Sequence, residues 1–372
     1  GLFYMKKRNV IKLVMLASTL ALAGCGGSDN NAEEDNSEGK TEDATVKINQ
    51  GDYVLQDGET VEDGEGYLAL NVGIKNNTEE TLQVSASELS LYDSDDNQIS
   101  NADIYTDDDD FEMFRGTNLS GGKSTSGYVV FKVDKDKKYN LQYAPTASQD
   151  EEADAEEVEI ALDPSDYNDP SEDVQEVMDQ YISQVFLADE NTEDSDSDTQ
   201  VQLENNTEEE HADFNQSFID ELKNEFDAYS PSDGELQKAV EAFEKTNQEK
   251  ANVEYTMASL TPTHASVYVK PEVIDFNKID FEAITNKFVD ENKGKYDDYE
   301  KAQQDAEKYI LQELPEQLNE EDVEQPQYMS ADGYKINLTQ EDGTWTVDTS
   351  DSNDNYDYKG LISGFMGGLG DQ

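Results

Sequence analysis

Leu68-Ala69-Leu70-Asn71-Val72-Gly73-Ile74-Lys75-Asn76-Asn77-Thr78 decides the fold of the first half of the chain. Leu68, Leu70, Val72 and Ile74 alternate strictly with smaller or polar residues and stop at a turn, the pattern of an extended strand with one buried face. The signal recurs on both sides. Leu82 and Val84 precede Leu89 and Leu91, which run into the turn Asp93-Ser94-Asp95-Asp96-Asn97. Leu119-Ser120-Gly121-Gly122 then leads into Tyr128-Val129-Val130-Phe131-Lys132-Val133. This many short strands in about 100 residues predicts an all-β sandwich over residues 46–145.

Outward from that unit the pattern changes period. Val174, Val177, Met178, Tyr181, Ile182, Val185 and Phe186 fall on one helical face behind Ser171, a plausible N-cap. Further helices are expected around Phe214, Phe218, Leu222 and Phe226, around Leu236, Val240 and Phe243, around Phe281, Ile284 and Phe288, and from Tyr299 to Ile310, with Pro315 as the stop. Strands are expected at Val253–Met257 and Ala265–Val269 about the turn Thr261-Pro262-Thr263, and in a closing hairpin, Tyr334–Leu338 and Thr344–Val347, across Asp342-Gly343. Residues 171–350 therefore read as an α+β domain with an antiparallel sheet.

The 372 residues include 26 basic and 87 acidic side chains, a formal charge of −61, and only 35% are hydrophobic. A field of that sign repels a phosphate backbone and excludes nucleic acid as a partner. The apolar share lies below the roughly 45–50% of ordinary domains, so some of the chain is expected to be unpacked. The acidic tether 25–45, the linker 146–170 and the Gly-rich tail 351–372 fit that expectation, as does the polar loop from Ala188 to Glu210.

The N-terminus carries an export signal. Lys6, Lys7, Arg8 and Lys12 precede the apolar run Leu13 to Leu22, which is short for a bilayer span; the basic region follows Met5, the expected start. Leu22-Ala23-Gly24-Cys25 resembles the bacterial lipobox, which implies that residues 1–24 are a signal peptide and that Cys25 becomes a lipidated N-terminus anchored at the extracytoplasmic face of the cell membrane. Cys25 is the single cysteine, so no intramolecular disulfide forms. Cleavage there removes four basic and no acidic residues and moves the charge from −61 to −65. At roughly 1 M salt the Debye length falls to about 3 Å, so a chain this acidic is expected to gain stability as salt rises.

Two family resemblances follow from these residues. The stretch from Leu68 to Thr78, Leu91-Tyr92-Asp93 and Gly127-Tyr128-Val129-Val130-Phe131 resemble DUF4352, the immunoglobulin-like lipoprotein domain of Gram-positive bacteria, which implies an immunoglobulin-like sandwich and no catalytic residue. Ala265-Ser266-Val267-Tyr268-Val269 and Gly343-Thr344-Trp345-Thr346-Val347-Asp348 are similar to DUF5105, a lipoprotein domain found behind it. The second half is also similar to the nuclear transport factor 2-like roll, whose helices and curved sheet enclose a pocket. That analogy implies a small ligand facing residues such as Tyr255, Tyr268 and Trp345.

Chemistry is sparse. His211 and His264 are the only histidines, are expected at the surface, and show neither a nucleophile elbow nor a His-x-x-x-His spacing. Asp275, in Val273-Ile274-Asp275-Phe276, is the carboxylate nearest an apolar setting and reads as a cap. Asp93-Ser94-Asp95-Asp96-Asn97 opens like a calcium loop, but Gln98 stands where glycine is needed and Ile104 where glutamate is needed. It reads as a polar turn, and Asp107–Asp110 and the Asp194–Asp198 run as surfaces on which Ca²⁺ or Mg²⁺ condenses weakly; no cofactor is expected. The sequence points to a non-enzymatic, lipid-anchored interaction module, or alternatively to a solute-binding lipoprotein with a pocket in the α+β domain.

Overall fold

The computed structural model describes residues 37–146, 156–189 and 202–370. They form two lobes. In the first, β1 (Glu38–Lys40), β2 (Ala44–Val54), β3 (Glu65–Asn76), β4 (Leu82–Val84), β5 (Leu89–Asp93), β6 (Gln98–Ser100), β7 (Thr117–Leu119), β8 (Ser124–Asp134), β9 (Tyr139–Tyr143) and β10 (Val158–Leu162) follow in chain order. One sheet runs β1-β2-β3-β8 and the other β10-β9-β5-β6, all antiparallel, with β4 and β7 paired beside them. Leu68, Leu70, Val72 and Ile74 of β3 meet Val129, Phe131 and Val133 of β8, and Leu89, Leu91, Leu141 and Tyr143 of the other sheet, in a closed core. The strict alternation of β3 is thus the inner face of a sandwich.

The first lobe is longer than its sequence pattern. Strand β1 and the start of β2 lie within the expected tether 25–45, and β10 lies within the expected linker 146–170. Val158, Ile160 and Leu162 are buried against the sandwich, and alternating Glu159 faces out, so five residues of an acidic stretch form a strand that covers β9. The chain after β10 is also fixed. The Tyr53 hydroxyl donates to the Pro164 carbonyl at 3.1 Å, and Lys135 pairs with Asp169 at 2.6 Å.

The second lobe contains α1 (Ser171–Phe186), β11 (Gln202–Leu203), α2 (Thr207–Asn224), α3 (Asp233–Lys250), β12 (Asn252–Leu260), β13 (His264–Glu272), α4 (Phe281–Glu291), α5 (Tyr299–Glu320), β14 (Tyr334–Glu341), β15 (Thr344–Val347) and α6 (Tyr356–Phe365). Its sheet has the order β11-β15-β14-β13-β12; the four longer strands are antiparallel, and the two-residue β11 lies parallel to β15, so the sheet is mixed. All six helices contribute to one core against one face of the sheet, through Tyr181, Phe186, Phe218, Phe243, Ile284, Leu318 and Phe365 among others.

Four local expectations are corrected. Ser171 is the first helical residue and not the cap; its N–H and hydroxyl donate to Asp169 Oδ1 at 3.0 and 2.6 Å. The end of the acidic loop is helical, because Asn206 caps α2 and places Glu208, Glu209 and Glu210 in its first turn, where the helix dipole favours carboxylates. Pro315 lies inside α5, costing one backbone hydrogen bond, and the buried Leu311, Leu314 and Leu318 on either side hold the helix together. The expected tail forms α6. Tyr358, Leu361, Phe365 and Met366 are buried, and Gly367, at φ 70°, lies where a Cβ would come within 2.6 Å of Phe276 and 2.9 Å of Phe243.

Candidate binding cleft

One loop carries much of the contact between the lobes. After β6, residues 101–116 cross the outer face of the β2-β3-β8 sheet, where Ile104 and Phe111 pack with Val54, Ala69, Tyr128 and Val130. The Phe111 ring stacks on Tyr128 at 4.7 Å. Backbone bonds pin the far end of the loop: the Tyr128 N–H donates to Glu112 O at 2.9 Å, and the Phe114 N–H to Tyr128 O at 2.8 Å. Between these anchors the acidic run Asp107–Asp110 forms a tip.

Asp108 alone of that run is buried, its side chain 1% exposed. Its Oδ1 accepts the Asp110 N–H at 2.9 Å, while Oδ2 accepts the Thr261 hydroxyl and, at 2.7 Å, the Thr263 hydroxyl. Both threonines belong to the β12–β13 turn of the other lobe, and His264 Nδ1 lies 3.4 Å from the same oxygen. Burial pushes the Asp108 carboxyl up, but the two hydroxyls, the Asp110 N–H and His264 together hold it below its ordinary value. Beside this latch, Leu55 and Leu260 exchange backbone hydrogen bonds of 2.8 Å in each direction, and Lys335 reaches Asp57 at 2.6 Å.

These contacts close one side of a cleft of about 1690 Å³. Its floor is the face of the second sheet turned away from the helices, with Ser266, Asn337, Thr339 and Thr346; the 101–116 loop forms one wall and residues 348–357 another. Ser266 donates to Asn337 Oδ1 at 2.7 Å. Tyr105 and Tyr356, from opposite walls, are 77% and 71% exposed. Carboxylates outnumber Arg115 and Lys335 around the rim, and four have internal partners: Asp57 on Lys335 Nζ, Asp108 in the latch, Asp348 on the Ser350 N–H and Asp357 on the Lys335 N–H.

The residues nominated from sequence are not gathered there. Trp345 is buried in the helix-side core, and Tyr255, three strands away across the sheet, packs against the same core. Tyr268 pairs with Thr256 and Lys335 on the opposite face. Side chains alternate between the two faces of a strand, so the three aromatics line no common pocket, and the pocket expected to face them is corrected to a cleft on the other side of the sheet. Burial, with Asp179 nearby, pushes the Tyr255 phenol well above its ordinary value. Leu22, Ala23, Gly24 and Cys25 lie outside the described residues, as does the Asp194–Asp198 run.

His211 is not a surface histidine. Its Nδ1 lies 2.8 Å from the Val185 carbonyl, and since a carbonyl only accepts, Nδ1 carries the proton; Nε2 lies 3.0 Å from Asn215 Nδ2 and 3.7 Å from Glu244 Oε1. Burial pushes the Glu244 carboxyl up, and His211 opposes it. Asp275 accepts the Asn277 N–H at 2.8 Å and caps a 3-10 turn. Asp93 Oδ1 accepts the N–H groups of Asp95 and Asn97, both at 2.9 Å, with Asp96 at φ 59°, the geometry of a polar turn. Among the described residues no group of three His, Cys, Asp or Glu side chains is placed to hold a metal ion, and no helix is long and apolar enough to cross a membrane.

Residues 35–154 match the family described as Domain of unknown function (DUF4352). The matched residues include the loop and Asp108, and the second lobe lies beyond the match. The chain is 31% identical over 152 residues to an uncharacterized lipoprotein, YcdA, of Bacillus subtilis strain 168, an alignment spanning 40% of this chain and 41% of YcdA. A crystal structure of YcdA from the same strain superposes with a TM-score of 0.67 at 22% identity, covering 89% of this chain and 98% of that one. The fold similarity thus extends through both lobes. Sequence reasoning missed the cleft because its walls come from residues more than 200 positions apart, and it missed Asp108 because nothing local distinguishes one aspartate in a run of four.

Proposed function

We propose that the chain is a lipid-anchored, non-enzymatic binding protein on the outer face of a Gram-positive membrane, and that its ligand occupies the cleft between the lobes. The observation that carries this reading is the cleft: about 1690 Å³, floored by hydroxyl and amide side chains and flanked by two exposed tyrosines from opposite walls. The anchor is supported by the coincidence of a basic start, an apolar run and Leu22-Ala23-Gly24-Cys25, and by the lipoprotein designation of YcdA. In this reading the DUF4352 lobe is immunoglobulin-like and the second lobe is DUF5105-like. Fatty-acid labelling of the wild type and of Cys25→Ser tests the anchor: label on the wild type alone is expected, and equal label on both refutes it. A thermal-shift ligand screen at high salt, with Ca²⁺ included, tests the cleft. A hit whose shift disappears on substituting both Tyr105 and Tyr356 by Ala is expected; a shift that survives both changes refutes the location.

A further inference from the structure

Arg115 is the one arginine after residue 8, in a chain whose other basic residues are lysines. It borders the cleft, it is exposed, and among the described residues no carboxylate lies within ion-pair distance of its guanidinium, although 87 acidic side chains compete for 26 basic ones. Its backbone is fixed through the residue before it. Phe114 is buried in the sandwich core with its N–H on Tyr128 O, and Gly127 allows the close approach, since a Cβ there would come within 2.5 Å of Phe114 Cα. A rigid strand of loop thus presents a guanidinium whose planar donors are unused, and that group matches a carboxylate or phosphate in two parallel hydrogen bonds as an ammonium does not.

The long-range field sets a second condition. A chain at −61 repels polyanions and attracts cations, so an oxyanion reaches Arg115 only on a molecule that also carries positive charge. Groups to receive that charge lie on the same rim: Asp107, Asp109, Glu112 and Asp354 have no lysine or arginine partner among the described residues, and the exposed Tyr105 and Tyr356 rings are available to a cation. We propose that Arg115 anchors the oxyanion of a small zwitterionic ligand, and that the surrounding carboxylates and tyrosines hold its ammonium group. This rests on the cleft being the binding site and adds the class of ligand.

In residues 26–372 Arg115 is the sole arginine, so its Nε–Hε signal stands alone in a nitrogen–proton correlation spectrum and phenylglyoxal modifies one site. The probes are alanyl-alanine for a carboxylate source, phosphoethanolamine for a phosphate source, and succinate and putrescine as singly signed controls. At about 10 mM, enough to load a millimolar site, one of the zwitterions is expected to shift the Arg115 signal saturably and slow the modification. Succinate should act only once salt screens the field. Arg115→Lys should lower the zwitterion affinity about tenfold or more with the backbone spectrum otherwise preserved. If the zwitterions move the Asn337 and Thr339 amides but neither the Arg115 signal nor the Arg115→Lys affinity responds, the anchor is wrong and the cleft stands. If succinate binds as well as the zwitterions at low salt, the requirement for both charges is wrong. If no probe moves any cleft amide, the ligand class proposed here is overturned, and the ligand screen decides the cleft independently.

Discussion

Replacing Asp108 by Ala should weaken the second lobe although Asp108 belongs to the first. Its carboxylate accepts two hydroxyl bonds across the interface, from Thr261 and Thr263, and a hydrogen bond to a charged group contributes about 1.5–3 kcal/mol net. Thr261 is buried and keeps only a longer bond, 3.3 Å, to the His264 carbonyl for its hydroxyl proton, whereas Thr263 is half-buried and recovers part of its bond from water. The expected loss is therefore about 2–4 kcal/mol, and about half that for Asp108→Asn, which keeps one acceptor oxygen. Trp345, the only tryptophan, lies in the core of the second lobe, so its fluorescence during urea unfolding reports that lobe. With a slope of about 3 kcal/mol per molar urea the midpoint should fall by about 1 M in Asp108→Ala. A pH series adds an independent check. The Asp108 carboxyl is held below its ordinary 3.8, so the folded state binds its proton less readily than the unfolded chain. The stabilisation is then complete above 3.8 and is lost as pH falls through the lower, folded value. The wild-type advantage should stay constant from pH 8 down to that range and shrink below it. A Trp345 midpoint unmoved by Asp108→Ala would refute the latch, since the only route from residue 108 to that ring crosses the lobe interface.

Three other outcomes are expected. The wild-type melting temperature should rise between dilute buffer and about 1 M NaCl at constant pH, because screening removes repulsion among exposed carboxylates; equal values would remove the argument for salt adaptation. Gly367→Ala should cost about 2–4 kcal/mol in chemical denaturation, because the new methyl meets the Phe276 and Phe243 rings at a left-handed backbone position; an unchanged midpoint would show that α6 docks differently. Glu244→Gln should raise stability at pH 8. Burial raises the Glu244 carboxyl above 4.5, so its protonated form suits the fold, and the gain should vanish below that pH; a pH-independent gain would point to packing instead.

What was legible in the sequence was what local periodicity can carry. The alternation of β3, the apolar run of β8 and the helical face of α1 appear as read, because each is a contiguous pattern that meets a core along its length. Strand β10 was hidden by composition. Its three apolar residues alternate correctly, but they stand in an acidic stretch that resembles a linker until β9 is there to receive them. The last helix was hidden by glycines, which signal a frayed end unless, as at Gly367, aromatic rings occupy the space a side chain would need. The aromatic candidates failed for a related reason: alternation along β13 shows that Tyr268 faces away from Val267 and Val269, but not which face the helices cover.

Strand β10 also separates two borders that are easily taken as one. The DUF4352 match stops at residue 154, whereas the sandwich is closed by Val158–Leu162 and braced by Asp163 and Asp169, which pair with Lys138 and Lys135. The region that matches the family is therefore shorter than the sandwich it belongs to. A fragment cut at 154 would leave the outer edge of β9 bare, with Tyr139, Leu141 and Tyr143 beside a row of unpaired backbone groups, a template on which copies would pair edge to edge. An exchange between relatives that respected only the family border would inherit that fault. One that carried residues through 170 would transfer a self-sufficient sandwich and leave the second lobe to begin at its own first helix.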